Sequence, residues 1–104
     1  MNKNQVLSTL IDSGVIAVVR GINEDQIVEV TSALAAGGIK GIEITLDNAN
    51  AVDIIKNLAT KFAEEDIIIG AGTALDAQQA GAAIMAGAEF IFSPTFNQEL
   101  VDVC

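Results

Sequence analysis

The chain has 104 residues, 51% of them hydrophobic, and a net charge of −9, which gives apolar material for one packed domain and too little length for two. The acidity argues against nucleic acid and anionic membranes as partners, since both repel a negative protein. The single cysteine, Cys104, excludes an intrachain disulfide framework and fits a reducing compartment. With no histidine in the chain, a Cys104 nucleophile or a metal site lacks its usual partners, so no metal is expected. No apolar stretch follows Lys3, so the start does not read as a signal peptide. No window reaches the roughly 18 apolar residues that span a bilayer, and a soluble cytoplasmic protein is expected.

Val6, Leu7, Leu10 and Ile11 mark a short amphipathic N-terminal helix closed by Gly14. Residues 15–19 follow as an unbroken apolar run ending at Arg20, the pattern of a parallel strand covered on both faces. Asn23 is placed to cap the next helix, with Gln26 three residues later to complete a capping box. Ile27, Val30 and Leu34 stripe that helix until Gly37 and Gly38 stop it.

The arrangement then recurs. Residues 41–46 read as a second strand, and Val52, Ile55, Leu58 and Phe62 stripe a second helix. Residues 66–71 form a third strand, followed by an Ala-rich helix over about 76–86. Residues 88–92 are expected as a fourth strand, with a helix beginning at Asn97. Alternation at this interval predicts parallel strands with right-handed crossovers in one α/β domain, residues 1–104. The expected fold is four βα units, half of a TIM (βα)₈ barrel, with a short N-terminal helix. The loops favour a barrel over an open doubly wound sheet, because the turn after the first strand, Arg20–Gly21–Ile22, is not glycine-rich. Polar residues stand instead at the C-terminal strand ends: Arg20, Glu43 with Thr45, Thr73, and Ser93 with Thr95. In a barrel these ends converge on one mouth.

Glu43 lies inside an apolar strand, where a carboxylate is costly to bury without a partner. Two readings stand side by side: an inward acid/base of tuned pKa, or a structural ion pair with Arg20. Gly70–Ala71–Gly72–Thr73 closes the third strand, either to bring backbone close to a ligand or as a tight turn with a capping Thr. It lacks the Lys of a phosphate-binding P-loop. Arg20 could clamp a substrate carboxylate or pair with Glu43. Pro94 could stiffen the rim or simply end the fourth strand.

Val18–Val19–Arg20, residues 41–46 with Glu43, Gly70–Ala71–Gly72–Thr73 and residues 87–94 occur in this order and spacing. Together they resemble the N-terminal half of the 2-keto-3-deoxy-6-phosphogluconate / 4-hydroxy-2-oxoglutarate aldolases, over nearly the whole chain. The resemblance implies a class I aldolase on a (βα)₈ barrel, trimeric at full length and without an organic cofactor or metal. A Lys of such an enzyme forms a Schiff base with a 2-keto acid, and cleavage releases pyruvate plus an aldehyde. By the same resemblance Glu43 is the general acid/base, Thr73 contacts the pyruvate part and Arg20 a substrate carboxylate. Gly70, Gly72 and Pro94 shape the pocket.

The chain departs from that pattern twice. Many members carry Arg four residues after the Glu, and here the position is Asp47, which would repel a keto acid and shift carboxylate binding to Arg20 and Thr73. The family's Schiff-base Lys lies on a sixth strand and its phosphate site on the seventh and eighth. Lys3, Lys40, Lys56 and Lys61 are placed away from the mouth, so this chain carries no Schiff-base lysine and is expected to be inactive alone. Two other readings are a non-catalytic, self-associating half-barrel and half of another phosphate-binding barrel, such as a sugar-phosphate isomerase. A four-strand sheet of this kind leaves its edges unpaired and Val18, Ile44, Ile69 or Phe92 on an uncovered face, depending on register. A homo-oligomer is therefore expected, such as two copies closing an eight-strand barrel.

Overall fold

Three parallel strands, β1 (Ile16–Val19), β2 (Gly41–Thr45) and β3 (Ile68–Gly72), lie side by side in chain order in the computed structural model, which describes residues 2–104. Helices α2 (Glu24–Ala36), α3 (Ala51–Lys61) and α4 (Ala77–Ala86) alternate with them. Helix α1 (Lys3–Ser13) precedes β1, and α5 (Gln98–Val103) packs on α4.

The local signals account for most helix ends. Asn2 and Gln5 form a reciprocal capping box at α1, with both bonds 2.9 Å long. Gly14 ends α1 in the left-handed region at φ 73°, its N–H bonded to the Leu10 carbonyl. Asp76 caps α4 by accepting from the Gln79 N–H at 2.8 Å. The box expected at α2 is absent: the Asn23 side chain makes no cap bond, and the Gln26 N–H bonds to the Asn23 backbone carbonyl instead. Glu24 and Asp25, set against the positive end of the helix dipole, support that first turn.

The register places Val18 beside Glu43 and Glu43 beside Gly70, and the next pair on that face is Thr45 with Gly72. Alternation then sorts the strands into two faces. Ile42, Ile44, Ile69 and Ala71 point to the helices, where they pack with Ile27, Ile54, Ile55, Leu58 and Phe62. Val52, expected in this stripe, is partly exposed, and Ile54 takes the buried position. The opposite face carries Ile16, Val18, Gly41, Glu43, Thr45, Ile68, Gly70 and Gly72. At its N-terminal end Leu10 of α1 packs against Gly41, where a Cβ would press on the Leu10 side chain. Leu7 and Ile11, expected on the buried face of α1, are exposed.

The fourth expected strand is reduced to one parallel bridge, Ala71 with Ile91. The Ala71 N–H donates to the Phe90 carbonyl at 3.0 Å, and the Phe92 N–H donates to the Ala71 carbonyl at 2.8 Å. A regular ladder would continue through the N–H groups of Thr73 and residue 94. Residue 94 is proline, which has none, and Thr73 turns left-handed at φ 61°. The Ala74 N–H takes the Phe92 carbonyl instead, at 3.2 Å. At the other end the Glu89 N–H, rather than that of Phe90, bonds to the Ile69 carbonyl. Of the four residues expected to face outward according to register, Val18 and Phe92 do so, whereas Ile44 and Ile69 are buried beneath the helices.

Candidate functional site

Glu43 sits at the centre of the middle strand, on the face turned away from the helices, and is 7% exposed. Its side chain lies across Gly72 of β3, where a Cβ would overlap the carboxyl oxygen Oε2. Only glycine leaves room for this pose. Gly70 plays the same part for Phe90, whose ring occupies the space a Cβ would need. The two glycines, expected to admit a ligand or form a tight turn, thus seat the protein's own side chains.

Burial raises the Glu43 carboxyl above its ordinary value of 4.5, and the positive charge of Arg20 partly offsets this. The ion-pair reading of Glu43 with Arg20 is replaced by a different pairing. Arg20, one residue past β1, donates from Nη1 to Oδ2 of Asp47 beyond β2. The Thr45 hydroxyl, buried at the end of β2, lies 3.4 Å from the Val19 carbonyl and also hydrogen-bonds to Asp47. That hydrogen bond and the Arg20 charge hold the Asp47 carboxyl below its ordinary value of 3.8, against a smaller opposing effect of desolvation.

The structure thus joins Glu43 to Gly72, and Asp47 to both Arg20 and Thr45, with Glu43 within electrostatic reach of Arg20. Thr73 follows Gly72 at the same C-terminal edge. A β-branched residue at positive φ is strained backbone, a feature concentrated at ligand sites. Pro94 lies in an exposed turn closed by the Ser93 hydroxyl on the Thr95 carbonyl at 2.8 Å. Neither Thr73 nor Pro94 hydrogen-bonds to Glu43. The Asp47–Arg20 link is what sequence reasoning missed: Asp47 read as a charge that repels ligand, whereas it is Arg20's partner. The signal available was the placement of two opposite charges just past the ends of adjacent parallel strands.

The lysines stand elsewhere. Lys40 precedes β2 and pairs with Asp66 at 2.6 Å, at the sheet's N-terminal edge. Lys3 is on α1, and Lys56 and Lys61 are exposed on α3. Among the described residues no helix is long and apolar enough to cross a membrane.

Comparison with known proteins places this geometry. Residues 6–104 match the KDPG and KHG aldolase family. The chain is 44% identical over 75 residues to the 2-dehydro-3-deoxy-phosphogluconate aldolase of Pseudoalteromonas atlantica, covering 72% of this chain and 34% of that one. It is 35% identical over 99 residues to the KHG/KDPG aldolase of Escherichia coli K12, covering 95% and 46%. The Zymomonas mobilis 2-keto-3-deoxy-6-phosphogluconate aldolase, solved with 3-phosphoglycerate, superposes with a TM-score of 0.82 at 28% identity, over 98% of this chain and 47% of that one. The Legionella pneumophila KDPG aldolase, solved with pyruvate as a covalent carbinolamine, gives 0.77 at 33% identity, over 85% and 42%. These neighbours are TIM-barrel proteins, and the chain spans less than half the length of each. The family match sets aside the sugar-phosphate isomerase reading. A family match over residues 6–104, with a fold that superposes on part of a TIM barrel, makes this chain a member of the KDPG/KHG aldolase family.

Proposed function

We infer that this chain supplies the acid/base half of a class I aldolase site, acting on a 2-keto acid to release pyruvate and an aldehyde. The observation that carries this is the Glu43 carboxyl, buried on the sheet face opposite the apolar cluster, seated on Gly72 and raised in pKa. A carboxyl poised in this way can take the proton of a substrate hydroxyl as the carbon–carbon bond breaks, and return a proton to the enamine carbon left behind. Arg20 is the contact for a substrate carboxylate and Thr73 for the pyruvate part, with Gly70, Gly72 and Pro94 shaping the pocket. The imine-forming lysine must come from outside these residues, because Lys40 is at the wrong edge and Lys3, Lys56 and Lys61 are on helices. No organic cofactor or metal enters this scheme.

Two measurements test the reading. Pyruvate titrated into the chain should move the NMR signals of Arg20, Glu43 and Thr73, and movement confined to the Lys40–Asp66 edge would overturn it. Pyruvate with borohydride should leave the chain's mass unchanged, whereas a stable adduct on one of its lysines would overturn the lysine assignment.

A second reading, self-association of this chain, rests on the bare face. Val18 and Phe92 remain 56% and 43% exposed, and β1 has a partner strand on one side only. Two copies pairing these edges would cover both features; in a full-length aldolase the assembly would be the family's trimer. Sedimentation equilibrium at micromolar concentration should show a dimer or larger species, and a folded monomer would contradict this reading.

A further inference from the structure

Arg20 is not an unoccupied cation awaiting a ligand. Its Nη1 is bound to Asp47, and Asp47 is itself held by the Thr45 hydroxyl, which is buried beside the Val19 carbonyl. Both neighbours favour the ionised carboxylate at this position. A ligand carboxylate gripped by the guanidinium fork needs two parallel donors. Any grip that uses Nη1 must share or displace Asp47, and any other grip lies beside its negative charge. The pair is open to solvent, with the Arg20 and Asp47 side chains 58% and 42% exposed, so exchange with a ligand is sterically feasible.

We propose that Asp47 is a specificity-determining residue: an internal carboxylate that occupies Arg20 and lowers the affinity of the site for anionic ligands. The proposal rests on the reading of Arg20 as the contact for a substrate carboxylate. Its size follows from exposure: solvated ion pairs are weak, so removing this competitor should tighten anion binding by about two- to fivefold. High salt should shrink the gain, because exposed charges are screened.

The test titrates pyruvate, and separately acetate, into the full chain and its D47N, R20Q and D47N/R20Q variants at low ionic strength. Asn keeps the shape and a hydrogen-bond acceptor while removing the charge. D47N should bind pyruvate two- to fivefold more tightly than wild type, and the gain should vanish in D47N/R20Q. Affinity in D47N that is no higher than in wild type, absence of binding in both included, would overturn the role of Asp47. An equal gain for acetate and pyruvate would uphold Asp47 while counting against a keto-acid site. The two ideas therefore fail separately.

Discussion

The same three strands present two faces built from different materials. Toward the helices, Ile42, Ile44, Ile69 and Ala71 are each at most 3% exposed and join one apolar cluster. Toward the other side, β2 and β3 carry Gly41, Glu43, Thr45, Gly70 and Gly72 beside the buried Ile68, with Ile16 and Val18 on β1. The helix face is held by volume, since branched side chains fill the space between sheet and helices. The bare face is held by vacancy, since missing Cβ atoms make room for Leu10, Phe90 and the Glu43 carboxyl. The apolar packing therefore lies on the first face and the chemistry proposed for this chain on the second, one residue apart along each strand.

Truncation separates the faces most strongly. Leu58→Ala removes a fully buried side chain from the helix side and should destabilise the chain by about 2–5 kcal/mol in urea denaturation. Val18→Ser, on the bare face, should change stability by no more than about 0.5 kcal/mol at dilutions that keep the chain monomeric. Equal losses at higher concentrations would mean that the bare face is covered in solution, as self-association requires.

Gly72→Ala probes the opposite failure, overfilling. The added methyl cannot coexist with the Glu43 pose, so a loss of about 1–3 kcal/mol is expected. Adding Glu43→Ala should restore part of it, and strictly additive losses would separate the two residues. Thr73→Gly relieves the left-handed backbone at φ 61°. Set against the greater flexibility of unfolded glycine, the net gain should be within about 1 kcal/mol.

The smallest effect is pH-dependent. Folding raises the Glu43 carboxyl above 4.5, so the native state binds its proton more tightly than the unfolded chain. Wild-type stability should fall as pH rises from about 4.5 through the raised value, then stay lower. Glu43→Gln should lack that slope and be the more stable protein at neutral pH, the advantage disappearing below the ordinary carboxyl range. Denaturation across pH 4–8 reads this directly.

Much of this organisation is visible in the order of residues. Gly41–Ile42–Glu43–Ile44–Thr45 spells both faces of β2 by alternation, and Gly14 and Gly87 end their helices in the left-handed region. The run at residues 88–92 forms one bridge rather than a full strand, because an apolar run records burial, not pairing. Pro94 and the turn at Thr73 interrupt its ladder, and the turn depends on a backbone angle that residue type does not disclose. Asn23 does stand at the N-cap of α2, but its side-chain bond does not form, since spacing alone cannot tell which group the Gln26 N–H will find. At the site, Glu43 and Arg20 were legible as polar residues at or near strand ends. Their partners, Gly72 and Asp47, were not, because both contacts cross between neighbouring strands and depend on register.

The central claim is that Glu43, seated on Gly72, is a buried carboxyl held ready to carry a proton. Carbon-13 NMR titration of its carboxyl in the wild-type chain and in Gly72→Ala tests this most directly. The account predicts a midpoint above 4.5 in wild type and a return toward that value in the variant, where the methyl drives the carboxyl from its seat. A wild-type midpoint at or below 4.5 would contradict it.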